Sequence, residues 1–87
     1  MHAVLINVTI NDPEAAGKRL QEEVVPRVKQ APGFVAGYWM GTETKGQSVV
    51  IFESEETANG MAEMARDMAP PAVTLESIEV REVVAHA

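Results

Sequence analysis

The chain has 87 residues, 46% of them hydrophobic, with thirteen acidic and seven basic side chains and a net charge of −6. A chain of this length buries only roughly 60–65% of the surface its unfolded form exposes, so one marginal domain spanning residues 1–87 is expected, of the kind that often gains stability by oligomerising. With no cysteine, disulfides, thiolate metal sites and a cysteine nucleophile are excluded, and the acidic balance with scattered basic residues argues against nucleic acid and anionic membrane surfaces as partners.

Residues 3–10, "AVLINVTI", are β-branched and apolar and read as a strand buried on both faces. The N-terminal decapeptide lacks the basic region and long apolar run of a signal peptide. No window approaches the roughly 20 apolar residues of a membrane helix, so the expected location is the cytoplasm. Asp12-Pro13 then reads as a helix N-cap with proline at the first helical position. A helix is predicted over residues 13–30, with Ala16, Leu20, Val24 and Val28 repeating every four residues as one inward stripe. Pro26 falls inside that stripe, where it removes a hydrogen bond to Glu22 and is expected to kink the last turn. Pro32-Gly33 ends the helix.

Residues 34–41 form the second predicted strand and residues 48–53 the third, joined by a hairpin loop around Lys45-Gly46. Ser54 is positioned to cap a second helix, with Glu55 and Glu56 in its first turn where the helix dipole favours negative charge. Ala58, Met61, Met64, Ala65 and Met68 fall on one face of that helix, which Pro70-Pro71 terminates. The last strand is predicted over residues 73–84, alternating from Ser77 onward and half exposed.

The order β-α-β-β-α-β is that of an α+β, ferredoxin-like domain, with a four-stranded antiparallel sheet and two helices on one face. Strand one carries Val4, Ile6, Val8 and Ile10 on one side and Ala3 and Leu5 on the other, and strand three is likewise apolar on both. Helices on one face cannot cover both sets. A second copy packed sheet to sheet is the simplest cover, ahead of a peptide or a different protein.

The run "VVPRVKQAPGFVAGYWM", followed by a hairpin and "SVVIFESEETA", resembles the antibiotic biosynthesis monooxygenase-like family of the dimeric α/β-barrel superfamily. The likeness rests on Pro26 late in the first helix, Pro32-Gly33-Phe34 opening a strand, the "GYW" strand, and "FESEE" leading into the second helix. It implies a homodimer whose sheets pair into a dimeric α/β barrel, with a pocket in each protomer between sheet and helices. It also implies two alternatives for function. One is cofactor-free oxygenation of an aromatic or phenolic small molecule; the other is a non-enzymatic ligand-binding or structural dimer.

Asn7 is the polar residue of most interest, because an amide in an apolar strand must be satisfied to be buried. In several oxygenases of the superfamily an asparagine on the first strand faces the pocket, so the resemblance implies a catalytic role for Asn7. A bond to a neighbouring side chain or a place at the dimer rim are the alternatives, and the sheet face that carries it is left open. Tyr38 and Trp39 point to opposite faces, so only one can join a given pocket. Tyr38 is the candidate to assist Asn7 in stabilising a substrate anion. Trp39, between Gly37 and Gly41, suits either a flat ligand or packing. Phe34, Met61, Met64 and Met68 complete the candidate pocket, although methionines at helical spacing equally make plain core. His2 and His86 are expected as frayed ends that are too few for a metal site. The second helix carries no histidine for a haem, and no cofactor is expected.

Overall fold

The computed structural model describes residues 1–67 and 72–87. Strands β1 (His2–Ile10), β2 (Phe34–Gly41), β3 (Lys45–Phe52) and β4 (Val73–Glu82) form one antiparallel sheet in the order β2-β3-β1-β4. Between β1 and β2 runs a helical stretch of three parts: α1 (Pro13–Arg19), a π-helical turn (Leu20–Val24) and α2 (Val25–Lys29). A single helix, α3 (Glu55–Asp67), links β3 to β4. The expected α+β order is therefore present, compatible with a ferredoxin-like domain. Among the described residues no helix is long and apolar enough to cross a membrane.

The core gathers Val4, Val50 and Phe52 from the sheet, Val28 from α2, and Ala58, Met61 and Ala62 from α3, all under one sheet face. Phe52 meets Phe34 edge to face, with ring centroids 6.2 Å apart. Both helices begin with side-chain caps. The Ala15 N–H donates to Asp12 Oδ1 at 3.2 Å. At α3, Thr57 N–H donates to Ser54 Oγ and Ser54 N–H donates to Thr57 Oγ1, a reciprocal cap with threonine in the place usually held by glutamate.

Four expectations are corrected. The disturbance caused by Pro26 lies one turn ahead of it, where Val25 N–H reaches back to the Leu20 carbonyl and opens a π turn. A widened turn spares the proline ring the clash that a regular α-helix would impose. The third strand starts at Lys45 rather than Ser48, because Gly41 and Gly46 let the hairpin backbones close: a Cβ on Gly41 would collide with the Lys45 carbonyl. The last strand ends at Glu82 rather than Val84, and a bulge sets Ser77 opposite Asn7 but Leu75 opposite Val8. His2 is not frayed. It pairs with Phe52 and Glu82, and its Nε2 stands 3.5 Å from Glu55 Oε2 at the start of α3. His86 is exposed, and Pro70-Pro71 lies outside the described residues.

Candidate functional site

Alternation along the strands divides the sheet into two surfaces with different chemistry. The phase of Val4, Ile6, Val8 and Ile10 faces the helices. In register with it stand Ser48 and Val50 on β3, Trp39 on β2, and Ile78 and Val80 on β4. α3 packs against β1, β3 and β4, whereas the main contact of the first helical run is that of α2 with β2. The π turn and α1 complete the same run, with Val24 of the π turn packed against the core.

Beneath them lies a cavity of about 370 Å³. Ile6, Val8 and Ile10 form its floor, Leu20, Val24 and Val28 its helical wall, and Trp39 and Met61 its sides. That volume falls within the range of sites for drug-sized ligands, and the lining is mainly apolar as such sites usually are. Arg19 is the one charged side chain in the lining among the described residues. The indole of Trp39 lies back over Gly37, where an added Cβ would sit 2.7 Å from the ring. The space beside Trp39 is thus occupied on the Gly37 side by the indole itself, and its cavity edge is held in place.

The opposite face of the sheet is uncovered. One half is polar and cross-linked between strands. Asn7 Nδ2 donates to Ser77 Oγ at 3.0 Å, Asn11 Nδ2 donates to Thr74 Oγ1 at 2.9 Å, and Thr9 Oγ1 donates to Glu76 Oε1 while accepting from Lys45 Nζ. The other half is apolar, with Tyr38 and Met40 60% and 51% exposed beside the half-buried Val49 and Ile51.

The candidate residues accordingly fall into two groups. Trp39 and Met61 line the cavity, and Phe34 and Met64 pack against the adjoining core. Asn7 and Tyr38 lie on the open face instead. Register places Asn7 opposite Gln47, which faces Met40, so Tyr38 stands two strands across and two residues along from Asn7. Standard sheet spacing makes their Cα separation on that shared face roughly 12 Å. One N–H of the Asn7 amide donates to Ser77, a bond of the kind the neighbouring-side-chain alternative describes. Met68 lies outside the described residues. Among the described residues no group of three or more histidine, aspartate or glutamate side chains could hold a metal ion.

Arg19 and Ser48 are among the cavity residues that the sequence did not single out. Arg19 reads as one more solvated helix charge, and Ser48 as the start of a strand. Only the register beside Trp39 brings Ser48 into the lining. No protein-family model matches the chain, and no curated protein is significantly similar to it.

Proposed function

We propose that this protein is a small homodimer similar to the antibiotic biosynthesis monooxygenase-like proteins, and that it binds a flat, largely apolar small molecule between helices and sheet. The observation that carries the reading is the cavity of about 370 Å³ with the single tryptophan fixed on its wall. A core of this size would normally close over such a space, because unfilled apolar volume weakens packing. Leu20 and Val24 of the π turn line it. Binding is the role that the cavity side chains perform unaided: they desolvate a ring system and orient it against an indole.

Titration with hydroxyanthrones, flavin and hemin, following Trp39 emission against free tryptophan, tests the reading. Saturable quenching by one ligand class is expected, weakened at least about tenfold in Ser48→Leu, which fills space next to the indole. Quenching that never saturates with any compound would remove the binding role. Oxygen uptake on the ligand class that binds tests the second reading, cofactor-free oxygenation, in which a deprotonated substrate passes an electron to oxygen within a dry chamber. In that reading the cavity groups hold the substrate anion, since Asn7 and Tyr38 face away from it.

The uncovered apolar half of the sheet supports a dimer formed face to face. Tyr38 and Met40 are the largest exposed side chains there, and a second copy of the same surface would cover them. Tyr38→Glu puts a charge at the centre of that contact in each protomer. Sedimentation velocity should show dimer for the parent chain and monomer for the variant at the same concentration. A variant that sediments like the parent would move the interface off this face.

A further inference from the structure

We infer that the cavity selects neutral ligands, taking a flat apolar molecule whose single uncharged oxygen hydrogen-bonds the hydroxyl of Ser48. The inference rests on the binding role proposed above and specifies the chemical class of the ligand.

Ser48 lies on β3, an interior strand, and stands opposite Trp39 on one side and Ile6 on the other. That register turns its side chain toward the helices, in the phase of the buried Val50. The residue lines the cavity, and Ile6, Val8, Ile10 and Val50 line it from the same sheet face. A hydroxyl is therefore set into an otherwise apolar floor. The other uncharged polar residues of the lining are placed differently. Gln47 has the opposite strand phase, and Thr42 Oγ1 accepts the Lys45 N–H within the hairpin.

Among the described residues, the side-chain polar atoms both closed to solvent and without a partner are His2 Nδ1 and Arg19 Nε. Ser48 is half-buried, its hydroxyl also has no partner among the described residues, and Oγ is not closed off. It is open to the cavity that the residue lines. Solvent can hydrate the hydroxyl while the cavity is open. A ring system laid over the floor removes that water, and a hydroxyl desolvated without a new partner opposes binding. A ligand oxygen at that point restores the bond. Because a hydroxyl both donates and accepts, a carbonyl and an alcohol oxygen each fit. A site with a polar group to satisfy discriminates against the analogue that lacks the oxygen.

Charge on the ligand is disfavoured. Arg19, the one charged residue of the lining among the described residues, has Nη1 3.0 Å from Glu23 Oε2, in a pair whose side chains are 41% and 58% exposed. Its charge is thus compensated near the surface, and the floor around Ser48 carries none. A buried anion without a paired charge is far costlier than a neutral oxygen. The net charge of −6 also opposes its approach.

The test uses four probes on one naphthalene frame. Acetonaphthone carries a ketone, naphthylethanol the alcohol, ethylnaphthalene no oxygen, and naphthoate a carboxylate. Each is titrated into isotope-labelled protein while the indole N–H of Trp39 is followed by heteronuclear NMR. The ketone is expected to bind at least about tenfold more tightly than naphthoate. In Ser48→Ala the ketone and the alcohol should each weaken about fivefold, while ethylnaphthalene stays within about twofold. Ser48→Thr keeps a hydroxyl and should hold both within about twofold of the parent. A loss confined to the ketone makes Ser48 the donor, one confined to the alcohol makes it the acceptor, and either upholds the bond.

Equal losses for the three neutral probes in Ser48→Ala, or no loss for any, overturn the inference while leaving the binding role intact. Naphthoate bound as tightly as the ketone overturns it as well, and favours the oxygenation reading, which requires an anion. If no probe shifts the indole resonance, both the inference and the binding role fall.

Discussion

Gly33→Ala is expected to destabilise the protein by about 2 kcal/mol, lowering its melting temperature by roughly 10 °C. Two independent costs add at this position. Gly33 has φ of 77°, in the left-handed region that L side chains rarely adopt. An added Cβ would also stand 2.8 Å from Thr57 Oγ1 and 2.9 Å from its Cγ2. Thr57 cannot yield cheaply, because its β-branched side chain is half of the reciprocal cap with Ser54. The strand pairing is involved as well, since the Gly33 carbonyl accepts the Glu53 N–H at 2.8 Å. One methyl group thus strains the start of β2 and the first turn of α3 together. Thermal unfolding followed by circular dichroism measures the effect. A variant melting within about 2 °C of the parent would mean that the turn relaxes without disturbing the cap.

Phe52→Ala is the more damaging change and should leave a substantial fraction of molecules unfolded. Phe52 is fully buried and is the largest side chain in the core to be so. Its ring meets Phe34 at an interplanar angle of 79°. Truncating such a phenylalanine typically costs about 3–5 kcal/mol through lost transfer energy and the void left behind. A domain of 87 residues has a total stability of roughly 4–13 kcal/mol. The loss is therefore comparable with everything available at the lower end of that range. Urea denaturation should show a midpoint reduced by at least about 1 M, with no change of slope. Phe34→Leu, at a half-buried position that keeps most of its apolar volume, should lose less than half as much. Equal losses from the two would show that the ring pair, and not the depth of Phe52, governs the core.

Element order, strand phase and helix caps are all legible in the sequence because each rests on local chemistry. The stripe Ala16, Leu20, Val24 and Val28 contains more information than the predicted helix uses. An α-helix advances about 100° per residue, so a strict spacing of four drifts about 40° at each step. An underwound segment is what keeps such a stripe in line, and the π turn over Leu20–Val24 supplies it. The face of Asn7 was also decidable. Its phase contains Ala3, Leu5 and Thr9, whereas the bulkier set of Val4, Ile6, Val8 and Ile10 takes the side where two helices must be packed. His2 continues that bulkier phase, which is why it reaches Glu55 instead of solvent.

Other features depend on contacts that no local pattern encodes. Gly37 and Gly41 leave room around Trp39, but only the folded sheet shows that the indole lies back over Gly37. The cavity lies between the first helical run and the sheet, and its size is a property of the whole packing. Arg19 joins the cavity lining only when the first helical run is laid over β1. Charged residues on helices are normally read as solvent-facing, and for all but this one in the first run that reading is adequate.

The alternation of the sheet has a consequence for how such a chain can diverge. Trp39 and Ser48 belong to the cavity, while their sequence neighbours Tyr38 and Val49 belong to the uncovered face. Adjacent codons are thereby assigned to separate tasks, with the backbone of the sheet as the partition between them. Substitutions can therefore reshape the cavity lining without altering the uncovered face, and reshape that face without altering the lining. The two surfaces are separable residue by residue along a single strand.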